Sequence, residues 1–174
     1  HRDLHSFPTR RSSDLEAALG ALNAAYFGAA IAGSVLMGRL LAGPLARVLP
    51  RSKPLAAAAA GRALTAGVLI ALAPQSGAWG FAAAFTCLML ANGMGGVAEA
   101  TAFNERIPGE RRASFMSLSS LVLQLGGVAS SLAFGAAAAY VPVGALWLVA
   151  AGGLGASAAL YAGVKAPARA VARV

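Results

Sequence analysis

Residues 79–103 read WGFAAAFTCLMLANGMGGVAEATAF, a run in which Glu99 is the one charged side chain. A bilayer is crossed by a helix of roughly 20 mostly apolar residues, and this run is long enough to do so. Helices of soluble domains average only about 11–12 residues. The pattern repeats on both sides. Working outward, apolar runs of spanning length occupy residues 22–46 and 55–73 before it, and 113–140 and 142–164 after it. Turn and charge signals separate them: Arg47, Pro50, Arg51, Lys53 and Pro54; then Pro74 to Gly77; then Asn104 to Arg112; then Pro142. The sequence therefore predicts an all-α fold, a polytopic membrane bundle of five transmembrane helices within residues 16–166, followed by a tail at 167–174.

Composition agrees with that expectation. Of 174 residues, 58% are hydrophobic and 11% charged, against roughly 25% charged in soluble domains. Much of the apolar content is Ala and Gly, the small residues that let membrane helices approach closely. The Gly93-Met94-Gly95-Gly96 stretch, the Gly126, Gly127, Ser130 and Ser131 group, and Gly152, Gly153 and Gly155 are all read as close helix packing. Gly93 to Gly96 is no phosphate loop, for it lacks the Lys and the preceding strand such a loop needs. The net charge of +8 falls in short clusters between apolar runs, without the basic face and stacking aromatics of a nucleic-acid binder. Cys87 lies inside an apolar run with no Cys or His nearby and reads as packing. The histidines are His1 and His5, so no Ser/His/Asp set and no metal-ligand cluster is apparent. Neither an enzyme nor a cofactor is predicted.

Residues 1–15 are polar and aperiodic, and they are read as a disordered, non-native leader. The run from His5 to Leu15, HSFPTRRSSDL, resembles one reading frame of a short-read sequencing adapter. On that resemblance the reading frame ahead of Glu16 is expected to be lost.

Basic residues in short loops stay on the cytoplasmic side of a membrane. Here they fill the link after the first run, the link after the third, and the tail with Lys165, Arg169 and Arg173, while 74–78 and 141–144 carry no charge. Charge thus alternates from link to link. A cytoplasmic carboxyl terminus follows, with the chain in a cell membrane, most simply a bacterial inner membrane.

Two links carry a resemblance to a known family. The first, GPLARVLPRSKPL at 43–55, resembles the signature of major facilitator transporters, G-x-L-A-D-R-x-G-R-K-x-x-L. Gly43, Leu45, Ala46, Arg51, Lys53 and Leu55 fit or nearly fit it. Arg47 stands where the family has Asp, and Pro50 replaces the second Gly, so the aspartate-centred charge relay does not carry over. Gly43 is expected to let two helices approach, with Arg51 and Lys53 holding the turn in the cytoplasm. The second link, NERIPGERRASFMSL at 104–118, resembles the family's connection from the tenth to the eleventh helix through Asn104, Ile107-Pro108, Arg112-Ala113-Ser114 and Ser117-Leu118. Taken together they align the five runs with helices eight to twelve, the larger part of the carboxyl-terminal half.

That resemblance implies a secondary transporter of small solutes, in which two helical bundles rock about a central cavity. The alternatives are a truncated, non-functional fragment or a small membrane scaffold or accessory protein. The implied partners are the lipid bilayer, a small-molecule substrate and a coupling proton or cation. Cavity candidates are Asn92 and Glu99 on the third run, Asn23 and Tyr26 on the first, and Gln124 on the fourth. Asn92 and Glu99, seven apart, share a helix face. An ionisable group inside a membrane is a functional candidate by default. Glu99 reads either as a site that loads and releases a coupling proton or cation, or as half of a structural ion pair with Arg39, Arg106 or Arg112. Asn92 and Gln124 suit substrate contact or interhelical hydrogen bonding. Arg39 and Arg62 are expected to snorkel to the cytoplasmic surface.

Overall fold

A computed structural model describes residues 9–43 and 53–164. Helix α1 spans Thr9–Ala42, α2 Lys53–Leu72, α3 Ala78–Asn104, α4 Arg112–Ala137 and α5 Val143–Gly163, with a 3₁₀ turn at Gly109–Arg111 leading into α4. No strand occurs among the described residues. The architecture is an all-α helical bundle. Segments Glu16–Ala42, Pro54–Leu72, Ala78–Asn104, Gly109–Ala137 and Val143–Gly163 are each long and apolar enough to cross a membrane. At 27 residues, α3 is about 40 Å long, enough to cross with some tilt. This is the build of an integral membrane protein.

Prolines and returning amides set the helix boundaries. After α3, the amides of Arg106 and Ile107 return to the carbonyl of Phe103, and Pro108 follows with extended backbone, φ −54° and ψ 141°. Proline has no N–H and disfavours helical geometry in the residue before it, so the helix stops there. The same device opens α5, where Pro142 is the N-cap at φ −58°, ψ 140°. Helix α1 ends at Ala42, its last turn closed by the Gly43 amide on the Arg39 carbonyl at 2.8 Å, and the expected end near Ala46 lies outside the described residues. The fourth run ends its helix at Ala137, short of Tyr140, where the amides of Tyr140 and Val141 both return to the carbonyl of Ala137. In the other direction, α1 reaches back to Thr9, so the backbone of residues 9–15 is helical where disorder was expected. Extending an existing helix fixes one residue per hydrogen bond gained, so its first turns propagate at little cost. Residues 1–8 of the expected leader lie outside the described residues.

The bundle is a chain of neighbours. Helix α3 packs against α1 and α2, and α2 packs against α5. Near one end, Met37, Ala58 and Ala98 cluster, with Leu41, Met94, Val97 and Tyr161 around them. Near the other, Ala66, Leu69, Leu72, Leu88 and Ala151 form a second cluster beside Phe85 and Trp147. As residue numbers climb along α2 from Ala58 to Leu72, the partners on α3 fall from Ala98 to Leu88. Helix α2 therefore runs antiparallel to α3, and Lys53 and Asn104 stand at one end of the bundle.

Among the described residues, close backbone approach occurs at two mid-helix crossings and where Gly144, at the start of α5, meets the Ala73 carbonyl just beyond α2. A Cβ on Gly33 would strike the Leu90 carbonyl, and one on Gly93 would strike the Ala30 carbonyl. Ser34, beside them on α1, donates across the crossing to the Gly93 carbonyl at 3.3 Å. On the other side of α3, a Cβ on Gly61 would lie 2.8 Å from the Cα of Gly95. In the absence of a hydrophobic drive between helices in lipid, such small-residue contacts are the main source of association.

The other small-residue groups pack differently from expectation. A Cβ on Gly126, Gly127, Gly152, Gly153 or Gly155 would meet nothing within 4 Å, and the same is true of Gly96. Ser130 donates to the Gly127 carbonyl in its own helix. These faces have no helix near enough for the missing side chain to matter. Helix α4 is the extreme case: no residue in it is buried.

Candidate functional site

Arg62 occupies the middle of α2, directly after Gly61, and Glu99 lies one turn beyond Gly95 on α3. The contact of the two glycines draws the helix axes together at this level. The two long side chains then meet across the crossing. Arg62 Nη2 donates to Glu99 Oε2 at 2.6 Å, and Arg62 Nε donates to Glu99 Oε1, a two-pronged ion pair. The planar guanidinium fork matches the two carboxylate oxygens, the geometry in which this pair of groups binds most strongly. The side chains are 30% and 15% exposed respectively. An uncompensated charge is costly within a membrane, and pairing lowers that cost for both groups. Tyr161 of α5 joins the same cluster and lies within electrostatic reach of both charges.

From sequence, Arg62 is expected to snorkel to the surface, with Arg39, Arg106 or Arg112 as partners for Glu99. The structure replaces that assignment. Arg106 Nη1 donates to the Ala102 carbonyl one turn back in its own helix, at 3.1 Å. Arg112 Nη2 donates to the Asn104 carbonyl, also at 3.1 Å. No ion pair joins Arg39 to Glu99 among the described residues. Arg62 wins because the antiparallel packing of α2 on α3 sets it level with Glu99, whereas the loop arginines lie beyond the end of α3. Tyr161 carries no sequence signal of its own, one of two aromatics in an Ala- and Gly-rich run. The usable signal for Arg62 was its side of the span: Arg62 and Glu99 both lie in the half of their helix that adjoins a basic link.

Other expected site residues are dispersed. Asn92 and Asn23 are exposed, and Gln124 is exposed on α4, away from the α1–α3–α2 contacts. Asn92 and Glu99 therefore do not form a shared site with Gln124. Tyr26 is partly buried, its ring 4.5 Å from that of Phe85 between α1 and α3, and its hydroxyl is buried without a hydrogen-bond partner among the described residues. In the link after α3, Asn104 and Arg112 are joined by the bond just given and the Phe103 ring packs at a tilt against Phe115, centroids 5.9 Å apart, so the link is tied across Pro108. Ser114 is exposed in the first turn of α4. Of the signature-like link, Leu45, Arg47 and Arg51 lie outside the described residues. Lys53 begins α2. Among the described residues Gly43 meets the Arg39 carbonyl of its own helix, where it ends α1.

Among the described residues, no three His, Cys, Asp or Glu side chains come together as metal ligands. Comparison with family models, with curated proteins and with solved structures gives no match. The Arg62–Glu99 pair, with Tyr161 beside it, is the candidate site on chemical grounds alone.

Proposed function

We propose that this chain forms the larger part of the carboxyl-terminal half of a secondary transporter of the major facilitator type, moving a small solute by alternating access. One observation carries the proposal: a charged pair, Arg62 with Glu99, is kept inside two membrane-spanning helices. Apolar side chains of similar volume would join α2 to α3 at lower desolvation cost, since buried ion pairs often add nothing to stability. Ionisable groups retained at membrane depth more commonly mark ion and substrate paths. The two links that resemble the family's signatures support the same assignment. So does α4, an unburied helix carrying Ser117, Ser120, Gln124 and Ser131; such polar groups suit a helix facing further spans of the same transporter.

In this proposal the basic links and the carboxyl terminus are cytoplasmic, the membrane is a bacterial inner membrane, and residues 5–15 come from adapter sequence in place of preceding helices. The test has two stages. Genomic sequence upstream of the codon for Glu16 is read, and seven further apolar spans are expected there. The intact reading frame is then expressed, and solute uptake into vesicles is measured with and without an imposed proton gradient. Gradient-driven uptake supports the proposal; a start codon near residue 16 removes it in favour of a small accessory or scaffold protein.

A further inference from the structure

We infer that the corner joining α3 to α4 binds the headgroup of an anionic phospholipid, whose acyl chains run along an adjoining unpacked face of α4. Such a site needs only the membrane-spanning helices and does not depend on the function proposed above.

Charge and packing direction bring the components to one end of the bundle. Helix α1 runs parallel to α3, since Tyr26 meets Phe85 and Met37 clusters with Ala98, and α2 runs antiparallel to both. Arg39 in the last turn of α1 and Lys53 at the start of α2 therefore share an end with Arg106, Arg111 and Arg112 at the corner. The acidic side chains in the corner are Glu105 and Glu110, so positive charge is in excess. At the other end the links 74–78 and 138–142 carry no charge. Trp79 and Tyr140 are almost fully exposed there, as suits aromatic side chains at a headgroup boundary.

Two of the corner arginines are held in place. Arg106 Nη1 donates to the Ala102 carbonyl and Arg112 Nη2 to the Asn104 carbonyl, both in the last turn of α3. Each bond uses a single guanidinium N–H, and the other donors stay open to a ligand. The Arg111 side chain has no hydrogen-bonding or ionic partner among the described residues, and neither Glu105 nor Glu110 pairs with any of the three arginines. Guanidinium forks match phosphate oxygens, and a phosphodiester supplies the negative charge that the corner lacks. Basic clusters at the ends of membrane helices attract acidic lipids for this reason.

The apolar half of the site lies below the corner. Phe115, Leu118, Val122 and Leu125 recur at helical spacing, so they share one face of α4. All four are exposed, and Phe115 leans on Phe103 at the corner itself. Ser117, Ser120, Gln124 and Ser131 fall on the largely opposite face, which leaves that polar face free for other spans. A free phosphate would use the arginines alone, whereas a phospholipid uses the arginines and the apolar face together.

The full chain is purified in detergent doped with equal amounts of phosphatidylglycerol and phosphatidylcholine of matched acyl chains, and the lipid it retains is counted by native mass spectrometry. Phosphatidylglycerol is expected to be retained in preference, and the preference to shrink as salt rises. Arg111→Gln breaks no side-chain bond and is expected to lower the preference about fivefold, the weight of one basic side chain beside an anionic headgroup. Glu110→Gln is expected to raise it. Inorganic phosphate and soluble glycerophosphoglycerol are expected to leave the lipid in place. Equal retention of the two lipids would mean acyl contact without headgroup recognition, and displacement by inorganic phosphate would mean a free-anion site. An unchanged ratio in both Arg111→Gln and Glu110→Gln would put the lipid elsewhere. Each of these three results overturns the inference.

Discussion

Arg62 and Glu99 join α2 to α3 through two parallel hydrogen bonds, one turn from the point where Gly61 and Gly95 bring the same helices into backbone contact. The two features depend on each other. Without the small residues the helices would stand too far apart for the fork to close, and without the charges the crossing would be held by a few alanine and leucine contacts. A polar clamp and a glycine crossing thus hold α2 to α3 at one level.

Removing one member of the pair leaves the other charge without its partner, and a broken pair costs more than an absent one. Glu99→Leu and Arg62→Met are each expected to lower stability by roughly 2 kcal/mol, between the loss of a charged hydrogen bond and the loss of a fully buried pair. The double variant is expected to lose less than either single change. Reversible unfolding in mixed detergent micelles measures all four proteins, and additive losses would mean that the pair contributes no coupling.

The α1–α3 crossing admits no side chain at Gly33 or Gly93, because the facing groups there are backbone carbonyls that cannot turn aside. Gly93→Val is expected to cost 1–3 kcal/mol or more by overpacking. Gly126→Ala and Gly152→Ala face open space and are expected to be neutral or to stabilise by up to about 1 kcal/mol through helix propensity. Thermal denaturation of the three variants in one detergent checks the ranking.

How much of this was legible in the sequence depends on what each residue's position requires. The five spans were visible because a helix in lipid has to be mostly apolar over its whole length, and 79–103 meets that demand with Glu99 as its one charged residue. Pro108 and Pro142 marked two boundaries because proline acts on its own backbone, whatever its neighbours. Arg62 was misjudged for the opposite reason. Its depth can be counted along α2, but whether it turns to solvent or to Glu99 depends on which helix stands beside it, and helices apolar on all sides carry no stripe that points to a neighbour. The same limit explains the glycines: Gly93 and Gly95 face other helices whereas Gly126 and Gly152 do not, though local composition is alike.

Tyr26 carries a buried hydroxyl that bonds to nothing described, while its ring packs on Phe85. The hydroxyl has lost water without gaining a partner, at a cost of about 1–3 kcal/mol. Tyr26→Phe keeps the ring contact and removes the orphaned group, so it is expected to raise the denaturation midpoint. Tyr26→Ala loses the ring and is expected to lower the midpoint, with a loss of stability of several kcal/mol. A lowered midpoint for Tyr26→Phe would reveal that the hydroxyl is hydrogen-bonded in the bilayer.

The packing directions also predict which ends of the helices share a side of the membrane. Since α2 runs antiparallel to α3, and α2 also packs on α5 with Ala151 near Leu69 and Tyr161 near Ala58, the amino end of α2 and the carboxyl ends of α3 and α5 lie together. Ser52, Glu110 and Lys165, which flank those ends in sequence, then belong on one side, with Ser76 and Val141 on the other. Single cysteines placed at these positions in a Cys87→Ala background, in sealed vesicles of one orientation, report the side through a membrane-impermeant maleimide. Labelling of 52 and 110 from one side and 76 and 141 from the other is expected. If 52 and 110 react from opposite sides, α2 and α3 do not cross the bilayer as an antiparallel pair, and neither the Arg62–Glu99 clamp nor the function built on it survives.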